Sequence, residues 1–235
     1  MSLNVDEQLP LLKKSRLSSG MSDLDIILEG GYQNPGNIIV VGPSGPEKSA
    51  LSYHFASATA NNELCIIICG SSSPSDIINK AGTYGINLNR SNIFFIDCYS
   101  STLGRVSESS EKIKTVPSPS ALNDLSLAIN DLMRLANGKK VRVIFDTLST
   151  FVIYNPADSI RKFLGVIEGR LKSANATTVY FVDEGVHDRQ LLSLIEHGMD
   201  GVYRINEMSG KFSLIIPEVD ITIPVKLGPT GLSVV

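Results

Sequence analysis

Eight residues constrain this chain more than any others: Gly42-Pro43-Ser44-Gly45-Pro46-Glu47-Lys48-Ser49. The apolar run Asn37-Ile38-Ile39-Val40-Val41 leads into them, and a helix is expected to start near Lys48 and run to about Ala60. Strand, tight loop and helix N-terminus together turn backbone N–H groups toward an anion. The pattern is G-x-x-x-x-G-K-[ST] with one departure, since Glu47 stands where the second glycine belongs. A carboxylate there opposes a phosphate by about 4 kcal/mol at about 4 Å and an effective dielectric near 20. Unrelieved, that is roughly a thousandfold in affinity. Two arrangements relieve it: Glu47 turned to solvent, or Glu47 paired with Lys48. The side chain also adds bulk where a glycine normally fits.

The rest of the chain repeats the strand–helix alternation. Strands are expected at 64–69, 93–97, 141–145 and 177–182, helices at 73–81, 122–132, 160–171 and 190–196, and a β-rich tail with hairpins from 202 onward. The strands are apolar without polar alternation, which fits a parallel sheet covered on both faces. The expectation is an α/β fold: a P-loop core with a mostly parallel twisted sheet, helices on both faces and a β-rich C-terminal end. Residues 1–18 read as an N-terminal arm carrying the apolar knot Leu9-Pro10-Leu11-Leu12, and 19–235 as a single domain. The serine-, lysine- and glutamate-rich stretch 99–120 reads as a mobile surface loop.

With 235 residues and a net charge of −3, the chain has no basic block for capturing nucleic acid or an anionic membrane. No apolar run reaches the roughly 18 residues of a membrane span, and no signal-peptide core is evident, so a cytoplasmic location is expected. Cys65, Cys69 and Cys98 lie in or beside apolar runs and read as structural thiols. His187-Asp188, with Glu184 beside it, is read either as a polar cluster at the carboxyl ends of the strands or as an exposed loop; composition favours the loop. His54 and His197 read as packing or surface residues. Arg161, Lys162, Arg170 and Lys172 read as the solvated face of one helix.

Several segments in order resemble the KaiC/RadA branch of the RecA-like ATPases. Ser19-Gly20-Met21-Ser22-Asp23-Leu24-Asp25, Gly30-Gly31, Pro35-Gly36 and the loop at Gly42 are similar to that branch's opening. Phe145-Asp146-Thr147-Leu148-Ser149 resembles its Walker B segment, and Met199-Asp200-Gly201-Val202 its late A-D-G-V segment. Ile96-Asp97-Cys98-Tyr99-Ser100 and residues 161–170 are similar to small archaeal KaiC-like proteins assigned to signal transduction. The resemblance covers about residues 18–235. It implies a RecA-like fold, a nucleotide site formed by Gly42, Ser44, Gly45, Glu47, Lys48 and Ser49, and a metal position at Ser49 and Asp146, with ATP and Mg²⁺ as the candidate ligands.

Three departures argue against turnover. Glu47 is the first. The second is Ser71-Ser72, just before Ser73-Pro74-Ser75-Asp76-Ile77-Ile78, where the family usually carries two glutamates. Serine without a partner is no base near neutral pH. Asp76 is set back by more than a helical turn, and Glu63 lies at the far end of its strand. The third is Ile215-Ile216-Pro217-Glu218-Val219-Asp220, which lacks the Lys-x-Arg pair that reaches a neighbouring subunit's nucleotide; Lys211 and Lys226 lie nearby but out of pattern. No catalytic residue is assigned. The expected function is an assembly or signalling module with a degenerate Walker A loop, acting through a homo-oligomer or a protein partner. The alternatives are a slow or regulatory Mg·ATP-binding ATPase and a recombinase-paralogue-like DNA-repair accessory protein.

Overall fold

The computed structural model describes residues 15–104 and 110–235. Within them the chain runs β1 (Arg16–Leu17), α1 (Ser22–Ile27), β2 (Tyr32–Gln33), β3 (Gly36–Gly42), α2 (Pro46–Ser57), β4 (Leu64–Cys69), α3 (Pro74–Thr83), β5 (Ile93–Asp97), β6 (Ile113–Thr115), α4 (Leu122–Ala136), β7 (Val141–Asp146), α5 (Leu148–Tyr154), α6 (Ala157–Ser173), β8 (Ala176–Asp183), α7 (Arg189–His197), β9 (Gly201–Met208), β10 (Lys211–Ile216), β11 (Ile221–Gly228) and β12 (Gly231–Val234). Ten strands form one sheet in the order β12-β11-β10-β9-β3-β8-β7-β4-β5-β6. From β9 to β6 the pairs are parallel; from β9 to β12 they are antiparallel hairpin neighbours. This is the expected α/β sheet with its β-rich C-terminal end.

The apolar runs read as strands are buried on both faces because each face has its own helical layer. Ile38, Val40, Cys65 and Ile67 pack with Leu24, Leu51, Phe55 and Ile77 of α1, α2 and α3. Their neighbours Ile39, Val41, Ile66 and Ile68 pack on the other side with Leu125, Phe151, Ile160 and Ile195 of α4 to α7. All three cysteines are buried free thiols.

The opening segment is held by its own residues. The Asp25 carboxylate takes the Ser19 N–H at 2.6 Å, the Ser19 hydroxyl at 2.6 Å and the Ser18 hydroxyl. Gly20 has a φ of +87°, and a Cβ there would lie 2.1 Å from the His54 carbonyl oxygen of α2. Only glycine combines that backbone with that approach. At the other end of the A-D-G-V-like segment, Asp200 staples β9 to β3. Its carboxylate accepts the Asn37 N–H at 2.8 Å and the Lys172 ammonium at 2.8 Å.

Two differences from the sequence reading have local causes. Within 99–120, read as a loop, residues 113–115 add the edge strand β6 beside β5, and a 3₁₀ turn covers Ser100–Leu103. Short α1 and α5 were unread because six or seven residues carry too little periodicity to register. The apolar knot of the N-terminal arm lies outside the described residues.

Glu168 of α6 lies under the turn after α7, where a Cβ on Gly198 would sit 3.2 Å from its Oε2. Burial raises its carboxyl to about 7, Asp200 adding to the rise and Lys172 opposing it. A folded-state value above the unfolded 4.5 gives stability that is full below pH 4.5 and is lost as pH rises through about 7. Glu168→Gln is therefore expected to gain on the parent between pH 5 and pH 8. The gain is about 1 kcal/mol after solvent screening, or roughly 2–4 °C in Tm. Melting curves across that range check it; a constant difference would contradict the assignment.

Candidate functional site

The carboxyl ends of β3, β8, β7 and β4 open onto a cavity of about 500 Å³. Strand register decides what meets there. Gly42 pairs with Asp183 across β3 and β8, and Cys69 pairs with Asp146 across β4 and β7. The glycine-rich loop, Asp183, Asp146 and the segment after Cys69 therefore converge at the sheet position where open α/β folds place ligands.

Gly42 is required by packing, since a Cβ would sit 2.7 Å from the Ile205 Cβ. Gly45 is extended at φ −174°, and α2 begins at the next residue, with Pro46 at its first position. Lys48, in the first turn of α2, is only 6 % exposed. Its ammonium donates to the Gly42 carbonyl at 3.3 Å, the Val182 carbonyl at 3.1 Å and, in a close ion pair, the Asp183 carboxylate. Three donors meet three acceptors, all from the protein. Asp183 is itself steadied, since its N–H donates to the Ser149 hydroxyl at 2.8 Å, and that hydroxyl lies 2.7 Å from His187 Nε2.

The Ser49 hydroxyl donates to the Gly45 carbonyl at 3.4 Å and contacts the Tyr53 phenol. Asp146 ends β7 on the cavity wall. Burial raises its carboxyl to about 6, Lys48 and Lys80 opposing the rise and Asp183 adding to it. Glu47 leans back over the loop: a Cβ on Gly45 would lie 3.1 Å from its Oε2. It is not one of the cavity's lining residues. The pairing of Glu47 with Lys48 weighed from sequence is not what forms, because Asp183 takes the lysine.

Of the nucleotide- and metal-position residues read from sequence, Ser44, Gly45, Lys48, Ser49 and Asp146 line this one cavity, while Gly42, the last residue of β3, does not line it. Ser71 and Ser72 line it too, and among the described residues its only lining carboxylates are Asp146 and Asp183. Asp76 accepts the Ser73 hydroxyl at 2.7 Å while its N–H donates back to Ser73, a capping pair that holds it on α3. Glu63 is committed to Arg142. Asp188 caps α7, whereas Glu184 is exposed, so the cluster considered around His187 reduces to His187 itself on Ser149. Lys172 bridges to Asp200 and Arg161 to Asp158, which uses part of the basic face of α6. Asp183 was missed as a site residue because it is 135 positions from Lys48. An acid ending a strand next to the loop's strand is the one signal that could have found it.

Among the described residues, no group of three or more His, Cys, Asp or Glu side chains is arranged to hold a metal ion. An oxygen site from Ser49 and Asp146, completed by a ligand's own oxygens, fits the donor chemistry of Mg²⁺. No helix of the described residues is long and apolar enough to cross a membrane.

Comparisons agree with this architecture. The fold is similar to the crystal structure of a KaiC-like protein from the hyperthermophilic archaeon Pyrococcus horikoshii. The TM-score is 0.72 at 17% identity, over 94% of this chain and 99% of that one. A UPF0273 protein of Methanopyrus kandleri is 22% identical over 86% of this chain and 82% of its own length. The circadian clock oscillator protein KaiC of Prochlorococcus marinus is 26% identical over 72% of this chain, and the match spans about a third of that protein (33%). The family model described as "ATPase: KaiC" matches residues 17–216, most of the chain. On that match, and on the loop, strand-end acid and sheet order it corresponds to, the chain belongs to the KaiC family of ATPases.

Proposed function

We propose that this KaiC-family chain is an assembly or signalling module with impaired nucleotide binding and little or no ATP hydrolysis, acting in the cytoplasm through self-association or a protein partner, with residues 19–235 as one unit. The observation that carries the reading is Lys48. Its three N–H donors are all taken by the protein, and its charge is neutralised by Asp183. A polyphosphate would have to displace that buried pair before gaining the lysine, and Glu47 adds a further negative charge beside the loop. The serines at 71 and 72 support the second half of the reading, since neither can take a proton from an attacking water. ATP and Mg²⁺ remain the ligands the ancestral geometry fits, with Ser49 and Asp146 as the metal position.

Calorimetric titration with ATP and Mg²⁺, run beside a phosphate-release assay, tests the reading. No saturable heat in the micromolar range and no release above background are expected. Micromolar binding with turnover would establish instead the second reading, a slow or regulatory ATPase. That reading draws its support from Lys48, Ser49 and Asp146 lining one cavity.

A further inference from the structure

We propose that Lys80 of α3 is the working cation of this cavity, and that it receives a small phosphate-class anion in the part of the cavity that Ser71, Ser72 and Tyr84 line with it. The inference rests on the impaired-site reading only in that Lys48 is held by Asp183.

The cavity has two lysines of opposite character. Lys48 is buried and fully bonded. Lys80, near the C-terminal end of α3, is exposed, and among the described residues it makes no side-chain hydrogen bond or ion pair. It nevertheless lines the cavity, and its charge reaches Asp146. Hydroxyl groups of Ser71, Ser72, Thr83 and Tyr84 line the cavity with it. The Thr83 hydroxyl is spent on the Lys80 carbonyl at 2.7 Å, but an exposed ammonium sharing a cavity with Ser71, Ser72 and Tyr84 suits a compact anion with several acceptor oxygens, such as inorganic phosphate or a phosphomonoester. Asp146 opposes such an anion, which favours one phosphate group over a chain of them.

The probe is inorganic phosphate, titrated without Mg²⁺ in a zwitterionic buffer at constant ionic strength and followed by phosphorus NMR. The parent protein is expected to bind it saturably, with a Kd on the order of millimolar. Lys80→Ala should weaken that binding by about tenfold or more, the scale of one lost charge-assisted hydrogen bond, and Lys80→Arg should recover most of it. Asp146→Asn should tighten it. Lys139→Ala, before the amino end of β7 and thus at the opposite end of the sheet, should leave it unchanged. Absence of saturable phosphate binding by the parent, or a Lys80→Ala protein that binds as the parent does, overturns the proposal. Micromolar Mg·ATP binding by the parent would overturn the impaired-site reading instead, and the Lys80 arm would still read separately.

Discussion

Replacing Arg142 by alanine is expected to remove about 3–5 kcal/mol of folding stability, or roughly 10 °C in Tm for a chain of this length. Arg142 sits in the middle of the sheet on β7 and is 2 % exposed. Its guanidinium binds Glu63 at 3.1 Å, the Ser18 carbonyl at 2.6 Å and the Phe55 carbonyl at 3.2 Å, and lies 4.8 Å over the Phe55 ring. One side chain thus ties the opening segment, the end of α2 and the entrance to β4 to a central strand. Truncation leaves Glu63 with its charge in a mostly buried place and two carbonyls without this donor, and each such loss is expensive. Replacing both members, as Arg142→Met with Glu63→Met, removes the stranded charge and should recover a good part of the loss. Denaturant melts of the three variants decide it. A loss below about 1 kcal/mol in Arg142→Ala would mean the cluster is not a structural clamp.

Arg142 also marks a limit of sequence reading. The run Val-Arg-Val-Ile-Phe reads as a buried strand, and so it is, but the pattern is blind to what a buried arginine needs. Its partners come from residues 18, 55 and 63, which lie on three separate segments. Apolar runs made the parallel strands legible because burial on both faces leaves no other periodicity. The edge strand β6 was not legible, since of its three residues only Ile113 is partly buried and Lys114 and Thr115 are exposed. In the site, Lys48, Ser49 and Asp146 were legible because each is tied to a local motif. The partnership of Lys48 with Asp183 was not. It depends on β3 lying beside β8 in a register that sets Gly42 against Asp183, and strand order is a property of the whole sheet. His187 was read toward the exposed loop for the same reason: its contact with Ser149 spans 38 positions and two elements.

Asp183→Asn is expected to raise affinity for Mg·ATP at least about tenfold, the scale of one charge pair in a partly buried site. Asparagine keeps the length of the side chain and an oxygen for Lys48, and the backbone N–H to Ser149 is untouched. What disappears is the negative charge that holds Lys48. Glu47→Gly acts on a separate obstacle, with a ceiling near the thousandfold of one unscreened charge pair. Because Glu47 leans over the loop outside the cavity, the realised gain should fall well below that ceiling. The double variant should bind more tightly than either single one, since Asp183 acts by holding Lys48 and Glu47 only by its charge beside the loop. Hydrolysis should stay at background in all three, because affinity does not create a base at Ser71 or Ser72. Titration calorimetry gives the affinities, phosphate release the turnover, and a melt of each variant confirms equal folding. If a folded Asp183→Asn protein binds Mg·ATP no better than the parent, the Lys48–Asp183 pair is not the lock. If the double variant hydrolyses ATP, Asp146 or an acid outside the cavity must serve the water, and the impaired reading would apply to binding alone.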